Sequence, residues 1–126
     1  MTLFKSLLAV ALLASANLAA ALEIKPYSAL ALADLQEAGQ AVALHFHADW
    51  CPTCRAQEKV FNGWKGDPAV PGTLLVVNYD NERELRKRLG VRSQSTLIVF
   101  KGKAETARLA GDTDPRALAG ALGSAR

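Results

Sequence analysis

Ala41-Val42-Ala43-Leu44-His45-Phe46-His47 leads, through Ala48 and Asp49, into Trp50-Cys51-Pro52-Thr53-Cys54. The first stretch is apolar from its start and reads as a buried strand. A helix is expected to begin at the cysteines and to run to about Phe61, where Asn62 and Gly63 break it. The junction therefore sets Cys51 at a helix N-terminus. Free backbone N–H groups and the positive end of the helix dipole meet there. Both favour thiolate over thiol, and in such settings the thiol pKa falls to roughly 3.5–7.5. Cys54 follows one helical turn later, within reach of a mixed disulfide formed at Cys51.

The rest of the chain is organised around this junction. Leu22 to Lys25 reads as a short edge strand ended by Pro26, and Ser28 caps a helix to about Ala38 that Gly39 ends. Residues 66–72 form a loop rich in Gly and Pro. Thr73 to Tyr79 is a second buried strand. Asp80 or Asn81 is expected to cap a short helix to Leu89, closed by Gly90. Thr96 to Phe100 is a third strand, and Gly102-Lys103 turns it into a fourth over Glu105 to Leu109. Asp114-Pro115 starts a last helix to about Leu122. The order β-α-β-α-β-α-β-β-α predicts an α/β sandwich around a mixed sheet, its last two strands antiparallel.

Only two cysteines are present among 126 residues. As a staple the pair would be weak, because so small a loop gains about 2 kcal/mol against about 3 for a 15-residue loop. The pair points to chemistry instead. Ahead of the domain, Lys5 precedes the apolar run Leu7 to Leu13, and Ala19-Ala20-Ala21 fits a small-x-small cleavage rule. Residues 1–21 read as a signal peptide, too short in its apolar part for the ~20 residues of a membrane span. An uncleaved anchor is the rival reading. The mature chain, residues 22–126, would be one domain with no stable membrane span after cleavage. Its compartment would be periplasmic or otherwise exported. Removal of Lys5 takes the formal net charge from +3 to +2, which supports no nucleic-acid role. The basic run Arg83 to Arg88 is interleaved with Glu82 and Glu84 and reads as a solvated helix face with Glu82–Arg86 and Glu84–Arg88 pairs.

Ala48-Asp49-Trp50-Cys51-Pro52-Thr53-Cys54-Arg55 resembles the active-site segment of the thioredoxin family, closest to periplasmic members such as the C-terminal domain of the DsbD type. Gly90 to Gly102 is similar to that family's third-strand region, and Gly111 matches its glycine after the hairpin. The resemblance spans nearly all of residues 22–126. It implies a thioredoxin-like three-layer sandwich, with helices on both faces of the mixed central sheet. It also implies thiol–disulfide exchange with protein substrates and with a redox donor or acceptor protein, more as a reductant than an oxidant. A monomer without cofactor or metal is expected. Cys51 is then the exposed nucleophile and Cys54 the resolving thiol, and Trp50, Pro52, Gln94 and Ser95 border the substrate. Three positions depart from the family pattern. His45 replaces an acid six residues before Cys51, His47 replaces a common aromatic, and Ser95 stands where the family has a cis-proline. The Gln94–Ser95 bond is expected to be trans, since a cis bond before serine costs about 3–4 kcal/mol. A more open face beside the thiolates would follow, with Ser95 either offering a hydroxyl near Cys51 or simply filling the loop.

His45 and His47 share one face of their strand. Two readings of His45 stand: a proton acceptor for Cys54, or a half-buried packing histidine. His47, Trp64 and Tyr79 read as packing, Asp49 as a rim residue, and Arg55 and Lys59 as helix surface. An alternative function is a metal-binding module that gathers Cys51, Cys54, His45 and His47 around zinc or copper. The absence of a second cysteine pair weighs against it.

Overall fold

Nine elements follow one another within residues 21–126, the part of the chain that the computed structural model describes. They are β1 (Glu23–Pro26), α1 (Ala29–Glu37), β2 (Ala41–His47), α2 (Pro52–Gly63), β3 (Thr73–Asn78), α3 (Arg83–Leu89), β4 (Thr96–Lys101), β5 (Ala104–Ala110) and α4 (Pro115–Gly123). The order is the expected one. The strands form one sheet in the order β1-β3-β2-β4-β5. β3 runs parallel to both β1 and β2, whereas β4 runs antiparallel to β2 and to β5. A two-residue turn at Gly102-Lys103 joins β4 to β5, with Gly102 at φ +57°. Pro26 pairs with Val76 on the outer strand β1, where a missing N–H is tolerated.

β2 holds the centre because both its edges are paired and both its faces are covered. Successive side chains of a strand point to opposite faces. Val42, Leu44 and Phe46 join Leu75, Val77, Ile98 and Phe100 against Leu32 of α1 and Leu85 of α3. Ala43 joins Leu74, Leu97 and Val99 against Phe61 of α2 and Leu118 and Leu122 of α4. The result is the three-layer α/β sandwich. Full burial of a Leu or Phe side chain contributes about 1.5–3 kcal/mol, so these two clusters dominate the stability of the fold.

The helix ends follow local chemistry, with one correction. Ser28 Oγ accepts from Ala31 N at 3.0 Å, and Asp114 Oδ1 accepts from Arg116 N at 3.0 Å, each as an N-cap. α3, by contrast, has neither Asp80 nor Asn81 as its cap. Its N-cap is Glu82, which makes no side-chain cap bond, while Asn78 Oδ1 accepts from the N–H groups of Asp80 and Asn81. That turn consumes the side chain–backbone bonds one residue too early to cap the helix. Neither expected Glu–Arg pair on α3 closes as an ion pair; Arg86 instead lies 4.0 Å from the ring centre of Tyr79. The residues read as a signal peptide lie, apart from Ala21, outside those described. Among the described residues no helix is long and apolar enough to cross a membrane.

Gly72, just before β3, is required by its surroundings. Its φ is +101°, and a Cβ there would sit 2.9 Å from the carbonyl oxygen of Ala41 at the start of β2. Both the backbone conformation and the approach of the two chains exclude a side chain. Gly72→Ala is expected to cost about 1–3 kcal/mol, read as a lower urea midpoint at unchanged slope. Gly63→Ala, with nothing within 4 Å, serves as the control and is expected to be neutral or slightly stabilising.

Candidate active site

Only Ala48, Asp49 and Trp50 separate the end of β2 from Cys51, and α2 starts at the next residue, Pro52. So short a link leaves Cys51 no place but the helix N-cap, with φ −95° and ψ 110°. Pro52 occupies the first helical position, where its missing N–H costs nothing. Cys51 Sγ accepts from the N–H of Cys54 at 3.1 Å. Cys54 faces inward, with Sγ 3.8 Å from the carbonyl oxygen of Phe46. Both thiols are free.

The third element of the site arrives from the turn before β4. No peptide bond among the described residues is cis, the Gln94–Ser95 bond included. Ser95 takes φ +67°, the only non-glycine residue described with a positive φ. Such a conformation costs about 1–2 kcal/mol for an L-residue and persists only when its surroundings hold it. Here they do. The Ser95 N–H donates to Phe46 O at 2.8 Å, and its carbonyl accepts from Gly111 N at 3.0 Å and from Gln57 Nε2 at 3.0 Å. Its hydroxyl lies 3.2 Å from Cys51 Sγ and 3.1 Å from Cys54 Sγ.

This geometry separates the two sulfurs electrically. Burial pushes the Cys51 thiol up. Hydrogen bonds from the Cys54 thiol, the Ser95 hydroxyl and the N–H groups of Cys54 and Thr53 more than offset it, so Cys51 lies below the ordinary thiol range. Cys54 lies above it, because burial and the bond it donates to Cys51 both favour its protonated form, with the Ser95 hydroxyl opposing. Cys51 is the sulfur that ionises first and Cys54 holds the proton. One expectation needs correction. Cys51 is not exposed: only 2% of its surface is accessible, against 0% for Cys54. Its sulfur turns inward to the N–H of Cys54, with the Ser95 hydroxyl 3.2 Å away.

The remaining predicted residues divide into rim and interior. Trp50 is 59% exposed, and its indole N–H donates to Asp80 Oδ2 at 2.8 Å, which fixes a large aromatic beside the thiols. Pro52 is exposed and Gln94 half-buried. His45 is buried on the α2 face of β2, edge-on to Phe61, with its Nε2 2.9 Å from Gln57 Oε1. Burial, opposed by the Gln57 bond and helped by His47, lowers its pKa to about 4, so it is neutral near pH 7. His45 makes no hydrogen bond to Cys54, whose Sγ has Phe46 O and the Ser95 hydroxyl as neighbours. His47 lies 2.6 Å from Glu58 Oε2, a contact out of line with a hydrogen bond, and 3.6 Å from Asp49 Oδ1. The two histidines therefore do not converge with the cysteines as a ligand set. Among the described residues no group of three or more His, Cys, Asp or Glu is arranged to hold a metal ion.

Gln57 was not anticipated from the sequence. It is fully buried and bonded to His45, to Ser95 and to the carbonyl of Asp112 at 2.7 Å. A signal existed: Cys54, Gln57 and Phe61 form the buried stripe of α2, and a glutamine on such a stripe must find partners inside.

The thioredoxin family profile matches residues 14–123. The chain belongs to the thioredoxin family. Membership supports thiol–disulfide oxidoreductase activity for this chain. The crystal structure of Trxlp from Edwardsiella tarda EIB202 is similar, with a TM-score of 0.75 and 34% identity, covering 79% of this chain and 98% of that one. Thioredoxin of Alicyclobacillus acidocaldarius is 33% identical over 82 residues, which is 63% of this chain and 78% of the relative. Thioredoxin-like protein 1 of Schizosaccharomyces pombe is 31% identical over 78 residues, 61% of this chain but only 27% of that longer protein.

Ser95→Ala removes a hydrogen bond to the Cys51 thiolate, a contact of a type that contributes about 1.5–3 kcal/mol. Alkylation of reduced protein by iodoacetamide should shift its pH profile upward, with the rate at pH 6 reduced about tenfold. His45 sets an acid limb of stability. The unfolded chain takes up its proton near pH 6.5, while the fold resists protonation down to about 4. Stability is therefore full above pH 6.5 and declines as pH falls to about 4, by about 3 kcal/mol from this group. Urea titrations of the wild type and of His45→Leu across that range should differ in slope against pH.

Proposed function

We propose that this protein is an exported thioredoxin-like oxidoreductase that reduces disulfides in partner proteins through Cys51 and Cys54. One observation carries the reading: a thiol favoured as thiolate at a helix N-terminus sits beside a second thiol that keeps its proton. The Cys51 thiolate attacks one sulfur of a partner disulfide. That S–S bond breaks, a partner thiolate leaves, and a mixed disulfide forms. Cys54 then gives its proton to the partner thiolate released in the first step and attacks Cys51 Sγ. The second partner thiolate departs, and the Cys51–Cys54 disulfide carries away the two electrons' worth of oxidation. A donor protein must reduce that disulfide before the next cycle.

Trp50, Pro52, Gln94 and Ser95 are assigned to the surface that receives the partner chain. The exposure of Trp50 and Pro52 supports this. His45 is assigned to the site through Gln57, to which its one side-chain bond runs, and not through a bond to Cys54. Export rests on the sequence of residues 1–21. The reductive direction rests on the resemblance to DsbD-type domains.

The test is insulin reduction with dithiothreitol, which needs no natural partner. Wild type should accelerate it and Cys51→Ser should not. Cys54→Ser should accumulate a mixed disulfide with substrate that is visible on a non-reducing gel. Accumulation by Cys51→Ser instead would reverse the two roles.

A further inference from the structure

Gln57 has one acceptor oxygen and two donor hydrogens, and all three partners are identified. Its Nε2 lies 3.0 Å from Ser95 O and 2.7 Å from Asp112 O. Two carbonyls can be satisfied only by the NH2 end of an amide, so both amide hydrogens are committed. Gln57 Oε1 is then an acceptor, and His45 Nε2 at 2.9 Å must donate to it. Neutral His45 is thereby held with its proton on Nε2 and its lone pair on Nδ1. The titratable residues in contact with this cluster include His47 on the same strand, Asp112 through its carbonyl, and Cys51 and Cys54 through Ser95. His47 lies edge-on to His45 at 5.5 Å.

The other arm of the amide reaches the thiols. Ser95 carries an unfavourable φ, and three bonds hold its backbone: Phe46 O, Gly111 N and Gln57 Nε2. Of these only the Gln57 bond comes from a side chain, so only it can be removed without rebuilding the main chain. Freed from it, the turn loses one anchor against relaxing to negative φ, and the hydroxyl leaves its place between the sulfurs. We propose that Gln57 is a positioning residue for the thiol pair, holding the Ser95 hydroxyl between Cys51 and Cys54 and dictating the His45 Nε2–H form. The proposal rests on the oxidoreductase reading for its purpose, but its geometry can be tested separately.

The experiment uses the full chain in reduced form and three measurements: iodoacetamide alkylation of Cys51 against pH, nitrogen-15 shifts of the His45 ring, and thermal melting. Gln57→Leu should shift the alkylation profile upward, with about a tenfold slower rate at pH 6, and should release His45 into a mixture of tautomers. Gln57→Glu, read at a pH where its carboxylate is ionised, retains an acceptor for His45 but has no donor for Ser95. It should keep the proton on His45 Nε2 while still shifting the Cys51 profile. Because Gln57 acts on Cys51 through Ser95, the Gln57→Leu/Ser95→Ala double variant should be no slower than Ser95→Ala alone. Additive losses would make Gln57 a packing residue and overturn the proposal. So would unshifted Cys51 profiles in both single variants with cooperative melts. If the variants do not fold, wild type decides: a His45 ring protonated on Nδ1 at pH 7 is incompatible with the amide's bonding and overturns the inference, and an Nε2–H ring supports it. A wild type inactive on insulin but showing these signatures would sink the function alone.

Discussion

Everything at the thiol site depends on the pairing of β4 against β2. That register sets Thr96 opposite Phe46 and so brings Ser95 to the Phe46 carbonyl, at the point where the chain leaves β2 for α2. The same carbonyl lies 3.8 Å from Cys54 Sγ. One backbone oxygen thus ties together the strand, the helix and the turn. A slip of one residue in β4 would turn every side chain of that strand to the opposite layer. Leu97 and Val99, which meet α2 and α4, would trade places with Ile98 and Phe100, and the serine would leave the sulfurs. The apolar pattern of the core and the chemistry of the site are therefore set by one register.

The site separates its two thiols by hydrogen bonds and burial. No carboxylate or ammonium appears among the groups that shift Cys51; hydrogen bonds from a thiol, a hydroxyl and backbone N–H groups do it. Such groups are worth more in a buried site than in water, where they would compete with solvent. His45 fits this scheme. A neutral imidazole can stand in the interior where an ionised acid would demand a counter-charge.

The architecture was legible in the sequence because each strand and helix carries its own local signal. Apolar runs are bounded by Gly and Pro, Ser28 and Asp114-Pro115 mark helix starts, and Gly102-Lys103 marks the hairpin. The cysteine pair was legible for the same reason, being a strand-to-helix junction in consecutive residues. The cap of α3 was misplaced because three side chains at 78, 80 and 81 compete for the same few N–H groups, and spacing alone does not choose between them. The burial of Cys51 and the bonding of Gln57 were hidden for a different reason. Ser95 is 44 residues from Cys51 in the chain, and the Gln57 partners Ser95 and Asp112 are 38 and 55 residues away. No periodicity records contacts of that kind; only the closed sheet brings them together.

The positive φ of Ser95 has a consequence for how sequences of this kind can diverge. A proline ring locks φ near −65°, more than 100° away from the +67° found here. A proline therefore cannot enter this turn by simple exchange of one residue. The turn would have to rotate, surrendering the bonds that now hold it, and a glutamine buried to serve that turn would be left with a donor and nothing to receive it. Serine at 95 and glutamine at 57 are in this sense one inherited unit. Exchange of either residue therefore changes the bonding open to the other.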